Sequence, residues 1–328
     1  MHIAQSMLVV GRALVLGWLT LHAAFAAESS SYPSKAIKLV VPYPAAGGAD
    51  SLARPLAQQL SVRLAQSVVV DNRGGAGGNI AMELVTRSPA DGHTLMLALT
   101  PQLAVNGALY PKLGYDHIHG FTPISLIAEA PYLLLVHPSL QVNTVQELMA
   151  LAAQDKGKLA YASSGSGSGG HMAAELLIHI SGVAMTHVPY KGAVPAITDL
   201  LGGRIQVFIG AVNSLLPHVK DGKLRLLAGA GGKRFAAFPD LPAIAETVPG
   251  VALDVWLGVF MPAGVSKEIV RKANTDIIKV LQLPEVKTNL AGQGIEVSTS
   301  SPEALLTTMR EDHARWGKVI KEANIKVE

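Results

Sequence analysis

The chain has 328 residues, with 27 Lys and Arg against 24 Asp and Glu and a formal net charge of +3, and it has no block of like charge that would make a nucleic-acid face. It contains no cysteine, which excludes disulfides, thiolate metal sites and a cysteine nucleophile together. Hydrophobic residues make up 49% of the chain, yet only six are Phe and three Trp. The core must therefore be aliphatic, and the length exceeds what one core usually serves, which points to two lobes.

The N-terminal segment reads as an address. Arg12 supplies a thin basic start, residues 13–21 are apolar, and Ala24-Phe25-Ala26 matches the small-x-small pattern of a secretory cleavage site. This predicts an exported, periplasmic chain cut after Ala26. A membrane anchor fits less well, because Gly17, Thr20 and His22 interrupt a run that falls short of the roughly 20 apolar residues a span needs.

From Tyr32 onward, short β-branched runs alternate with helical patterns, the signature of parallel βαβ units. The predicted order is a strand over 37–41, a Pro/Gly loop, a helix over 51–64, a strand over 67–70, a glycine loop over 73–78, a helix over 79–86 and a strand over 94–99. Residues 125–137 read as one extended segment interrupted by Pro131. A second set follows: helix 145–154, strand 159–162, a Ser/Gly loop, helix 171–179, strand 186–188, helix 194–201, and strands over 205–209 and 224–228. Another extended stretch, 253–261, precedes C-terminal helices over 267–281 and 302–323. Two extended stretches bracketing a set of elements are what a chain needs to cross to a second lobe and return.

Three loops lie between a strand and a helix, where open parallel sheets bind ligands. The first runs from Pro42 through Tyr43, Ala46, Gly47 and Asp50 to Ser51. Free amides at the start of its helix, with the helix dipole, suit a carboxylate or phosphate. The second holds Ser163, Ser164, Gly165, Ser166, Gly167, Ser168, Gly169, Gly170 and His171, hydroxyls and amides that can donate to an anion without adding a fixed charge. It lacks the flanks of a dinucleotide fingerprint and the Gly-Lys ending of a Walker loop. The third, from Arg73 to Asn79, reads as structural or as a rim.

A serine hydrolase would need a nucleophile with glycines two places before and after it. In the second loop only Gly167 is flanked in that way, and it has no hydroxyl. No catalytic role is expected. The eleven histidines show no metal-ligand spacing, and neither metal nor cofactor is expected.

Several stretches together resemble the Bug-type extracytoplasmic solute receptors, the TctC group associated with tripartite tricarboxylate transporters. They are Tyr32-Pro33-Ser34-Lys35, the first loop with Leu52-Ala53-Arg54, Asp71-Asn72-Arg73-Gly74-Gly75-Ala76-Gly77-Gly78, Ala90-Asp91-Gly92-His93-Thr94-Leu95, the Ser/Gly loop, His187-Val188-Pro189-Tyr190-Lys191-Gly192 and Pro239-Asp240-Leu241-Pro242. The resemblance implies an α/β, two-lobed type II periplasmic-binding-protein fold, with mixed, mostly parallel sheets joined by two crossing strands. Lobe one would take 27–130 and 254–328, and lobe two 131–253.

By the same resemblance, Tyr43, Ala46, Gly47, Asp50, Thr100 and Gln102 would meet the ligand from lobe one. Ser163, Ser164, Gly165, Ser166, Ser168, His171 and Lys191 would meet it from lobe two. The expected ligand is a small organic acid, and the expected partner of this monomer is a pair of membrane transporter subunits or a sensor-kinase ectodomain. Many relatives carry an aspartate where this chain has Gly210-Ala211-Val212-Asn213. That departure favours a simple carboxylate, an aromatic acid or a nicotinamide-like molecule over an amino acid.

Overall fold

Residues 32–327 are described, in a computed structural model; the segment expected to be cleaved, 1–26, lies outside them. Among the described residues no helix is long and apolar enough to cross a membrane. The unit from Lys35 onward is built on two mixed sheets, each forming one lobe.

The first sheet begins with β1 (Ile37–Val41), β2 (Val68–Asn72) and β3 (Thr94–Leu99), joined by α1 (Gly48–Leu64) and α2 (Asn79–Thr86). Parallel pairing of β1 with β2 and β3 follows from those helical crossovers. β3 is buried along nearly its whole length, as a strand covered on both faces must be. The chain then forms a buried π-helical turn, Pro101–Val105, and the short α3 (Asn106–Leu109). It leaves the first lobe through β4 (Phe121–Glu129).

The second sheet takes β5 (Tyr132–Val136), β6 (Ala160–Ser163), β7 (Thr186–Pro189), β8 (Val207–Ala211) and β9 (Arg225–Gly229) in the order β7-β6-β8-β5-β9. Its helices include α4 (Val145–Asp155), α5 (Gly169–Ser181), α6 (Ala193–Leu201), α7 (Val212–Lys220) and the single turn α8 (Ile244–Thr247). The chain returns through β10 (Trp256–Pro262), which inserts antiparallel between β3 and β4. α9 (Lys267–Leu281), α10 (Pro284–Gly292), the edge strand β11 (Glu296–Val297) and α11 (Pro302–Glu322) complete the first lobe.

The crossing is thus made by two adjacent segments. The extended run predicted over 125–137 is two strands in different sheets, divided at Ala130-Pro131. Pro131 has no amide to donate to a ladder, and the Ala130 amide bonds instead to the Val255 carbonyl of the returning segment at 3.0 Å. On the far side of the crossing the Ala230 amide bonds to Tyr132 at 2.8 Å, and Leu253 to Ala230 at 2.8 Å.

The predicted elements over 37–41, 79–86, 94–99 and 267–281 have the same bounds in the structure. α1 starts three residues before its predicted position, which moves Gly48 from the loop into the first helical turn. α7 lies in a stretch for which no element was predicted. Pro217 lies in its last turns, where a helix of nine residues has few hydrogen bonds to lose.

Candidate functional site

A cleft between the lobes, enclosing about 750 Å³ with its open mouth included, receives the starts of three helices. Gly47 is the N-cap of α1, Gly192 of α6 and Ala211 of α7, and none has a side chain that bonds back to its helix. Four other helices are capped by hydroxyls, Thr144 on α4, Ser168 on α5, Ser266 on α9 and Ser301 on α11, whereas α2, α3 and α10 also lack a side-chain cap. An N-cap hydroxyl takes one of the donors that the first turn leaves without an intrahelical partner. At the cleft these donors stay open. Among the described residues no acceptor bonds the amides of Gly48, Ala49, Ala193, Val194, Asn213 or Ser214, and all six residues line the cavity.

Between these helix ends the walls are apolar, formed by Leu99, Tyr132, Phe208, Leu257 and Ile295. Lys191 stands at the rim with Ser164. Pro44 of the first lobe and Gly192 of the second meet across the opening; a Cβ on Gly192 would stand 3.2 Å from the Pro44 ring. Aligned dipoles from both lobes, an apolar interior and one lysine make a site that is electropositive at its ends and greasy in its middle.

The sequence-predicted residues divide by position. Tyr43, Gly47, Ser164 and Lys191 line the cavity, and Gly165, Ser166 and Ser168 join Tyr43, Ser164 and Lys191 around its outer mouth. Ala46 is exposed in the first loop, and Asp50, Thr100, Gln102, Ser163 and His171 are buried behind the loops, where their polar side chains bond to protein groups. Asp50 is 3% exposed and accepts the Ala46 amide at 2.9 Å and Arg54 Nε at 2.8 Å. It holds Ala46 in a left-handed conformation, φ 64°. Burial would raise the Asp50 carboxyl, but the hydrogen bonds from Arg54, Ala46 and Asn72 hold it below the usual carboxylate range.

Thr100 and Gln102 are fully buried. The Thr100 hydroxyl accepts the Trp256 amide at 3.0 Å, tying β10 to the end of β3. Gln102 Nε2 donates to the Tyr43 hydroxyl at 3.0 Å and to the Gly77 carbonyl at 3.1 Å, and its Oε1 accepts the Leu99 amide. Burial pushes the Tyr43 hydroxyl up to about 12, so it stays protonated.

The Ser/Gly loop is largely satisfied from within. Ser163 Oγ accepts the Gly165 amide and lies 2.7 Å from His187 Nε2. Ser168 Oγ caps α5 at the His171 amide, and His171 Nδ1 accepts the Gly167 amide at 3.2 Å. His171 stacks on His187 with ring centroids 4.2 Å apart, and His187 stacks on Tyr161, whose hydroxyl bonds Glu175. Burial pushes both imidazoles down to about 4, so both are neutral acceptors or donors near pH 7 and neither offers a cation to an anion. Sequence reasoning predicted the helix over 194–201 that is α6 but did not count the amides opening α6 or α7 as ligand contacts; the available signal was a strand followed by a helix with no Ser, Thr, Asp or Asn at its N-cap.

The family described as tripartite tricarboxylate transporter family receptor, TctC, matches residues 52–325. The chain belongs to that family. It is 34% identical to the protein BugT of Bordetella pertussis over 302 residues, which cover 92% of this chain and 93% of that one. Among solved structures it resembles R. palustris Rpa4515 with adipate, at 38% identity and a TM-score of 0.86, covering 90% of this chain and all of that one. MatC from Rhodopseudomonas palustris with bound malate matches at 29% identity and a TM-score of 0.83, covering 88% and 100%. TctC receptors are extracytoplasmic solute-binding proteins and not enzymes, so the cleft of this TctC receptor is a place of capture, not of reaction. Among the described residues no cluster of three or more His, Asp or Glu could hold a metal ion.

Proposed function

We propose that this receptor captures an organic acid with an apolar body, a straight-chain dicarboxylate of the adipate class being the best fit, and delivers it to a membrane transporter. The observation that carries this reading is the convergence of three uncapped helix starts, one from the first lobe and two from the second, on one apolar cavity. A carboxylate seated on α1 meets amide donors and the positive end of a helix dipole, worth about 0.3–2 kcal/mol per helix depending on burial. A second carboxylate at α6 and α7 meets the same chemistry from the facing lobe. The methylene chain between them replaces water on apolar walls at about 25 cal/mol per Å². A relative with adipate bound supports the class. The lack of an acid in Gly210-Ala211-Val212-Asn213 removes a group that an ammonium would need, which argues against amino acids.

Titration calorimetry with adipate, malate, benzoate, nicotinamide, glutamate and aspartate tests the reading. Adipate is expected to bind more tightly than glutamate, which matches its two carboxylates but adds a charged ammonium. A preference for an amino acid, or heat from none of the six, overturns it. Lys191 is exposed at the rim, so its charge acts through a screened field. Replacing it with methionine is expected to weaken adipate binding about fivefold at low ionic strength and less in 0.5 M salt, measured by the same titration.

A further inference from the structure

The three helix starts differ in one respect: α7 alone sends a side chain across the cleft. Asn213 Nδ2 donates to the Gly48 carbonyl at 2.8 Å and to Ser51 Oγ at 2.8 Å, both on α1 of the facing lobe. The amide cannot be turned round, because the Gly48 carbonyl only accepts. Ser51 Oγ can accept from Asn213 because its own hydrogen is directed to Gly48 O at 3.0 Å or Gln293 Oε1 at 3.1 Å. The bond therefore joins α7, α1 and the segment after α10 in one chain that exists only while the lobes are together.

The contact is set against a cost. Asn213 Oδ1 is buried in the closed form and has no donor in reach among the described residues, which disfavours closure. The two short bonds outweigh the one orphaned acceptor by a small margin, so closure through this residue alone is poised rather than locked. A ligand that prefers the closed form shifts such an equilibrium readily.

We infer that Asn213 is an interlobe latch, a positioning residue that holds the cleft shut on its ligand by donating both amide hydrogens to Gly48 and Ser51. It sets how long a captured carboxylate stays. The inference rests on the carboxylate reading for its ligand, but the contact itself does not depend on it. It differs from a ligand-binding role in a defined way: the residue acts on the rate of opening and not on the encounter of acid and open cleft.

The absence of cysteine in the chain allows dyes to be placed at Val62→Cys on α1 and Ile180→Cys on α5, exposed positions in different lobes. Single-molecule energy transfer then reports closure, and stopped-flow displacement of adipate reports dissociation. Asn213→Ala is expected to raise the dissociation rate about tenfold, the loss of two ordinary hydrogen bonds less the relief of the orphaned acceptor. The association rate should stay within about twofold, because the residue acts on the closed form and not on the encounter of acid and open cleft.

Asn213→Asp, which keeps the shape and turns the donors into acceptors facing the Gly48 carbonyl, should open the cleft further. Ser51→Ala should give a smaller increase that does not multiply with that of Asn213→Ala, as expected for two members of one bond. A dissociation rate unchanged in Asn213→Ala, or effects of the two alanines that simply multiply, overturns the latch. If the wild type takes up no adipate, the carboxylate reading fails. The closed fraction of the ligand-free protein then decides the latch: a fall in Asn213→Ala supports it, and an unchanged fraction overturns it.

Discussion

Replacing Gly48 with leucine is expected to leave the protein folded and to weaken adipate binding by two orders of magnitude or more. Gly48 occupies the first turn of α1 with ordinary helical geometry, so a side chain there strains nothing in its own lobe. Leucine is the better helix former by roughly 0.5–1 kcal/mol. The obstacle lies across the cleft. A Cβ at this position would stand 2.7 Å from Asn213 Oδ1, 3.1 Å from Ala211 Cβ and 3.3 Å from Ser214 Oγ. An alanine could be accommodated by a turn of the flexible Asn213 side chain. The further atoms of leucine would have to enter the cavity or push α7 away, and either keeps the lobes apart.

Apparent affinity scales with the fraction of molecules able to close, so a closed fraction reduced about a hundredfold costs about 3 kcal/mol of binding. Calorimetry with adipate beside a thermal melt separates the possibilities. Unchanged melting with lost binding is the expected pair. Gly292→Leu, at a position with nothing within 4 Å of an added Cβ, controls for an added leucine and should bind as the wild type does. Wild-type affinity in Gly48→Leu would mean that capture does not bring α1 and α7 together.

The reach of sequence reasoning is well illustrated by this cleft. Regular periodicity bounded by glycine or proline fixed the strands and helices over 37–41, 79–86 and 94–99, because a buried parallel strand and an amphipathic helix leave distinct patterns. α10 and the turn through Pro101–Val105 left no such pattern: one is short and opens on a proline, and the other is buried on every side. The site divided along a different line. A serine in a glycine loop reads the same whether its hydroxyl faces a ligand or is occupied by a neighbour. What occupies Ser163 is His187, 24 residues further along the chain, and only the pairing of β6 with β7 brings them together.

The part that the starts of α6 and α7 play at the site was hidden for the opposite reason. Their signal is a missing capping residue, and an absence gains meaning only once three such ends are seen to meet. Asp50 shows the same limit, since an acid in the first turn of a helix serves equally as a ligand contact or as the brace for Ala46 and Arg54 that the structure contains.

Acidification from pH 7.5 to 5 is expected to destabilise the protein through the stacked histidines under the Ser/Gly loop. The sign follows from the direction of the shifts. Burial holds His171 and His187 down to about 4 in the folded protein, whereas an unfolded histidine titrates near 6.5. Above that value neither state binds the proton and stability is complete. As the pH falls below about 6.5 the unfolded chain gains protons that the folded one refuses, and stability is lost progressively until about pH 4, where the folded rings accept them too. For His171, only 3% exposed, the loss by pH 5 is on the order of 2 kcal/mol. His187 and the partly buried His117, also depressed chiefly by burial, add to it in the same direction. Asp50, Asp91 and Glu246 lie below their ordinary range, so their contributions are lost only at lower pH.

The effect on the loop itself is local and belongs to lower pH, near 4, where the folded rings take up their protons. A protonated His171 can no longer accept the Gly167 amide at Nδ1, and two charged rings 4.2 Å apart repel beneath the loop that carries Ser164 and Ser166. Urea unfolding at pH 7.5, 6.5, 5.5 and 5.0 measures the effect, and His171→Gln isolates one ring from the rest. Glutamine retains an acceptor for Gly167 and has no proton to gain in this range, so the variant should lose about 2 kcal/mol less than the wild type between pH 7.5 and 5. Equal losses in both proteins would show that the ring is not held neutral by its surroundings, and the account of the loop as braced from behind by uncharged histidines would have to be given up.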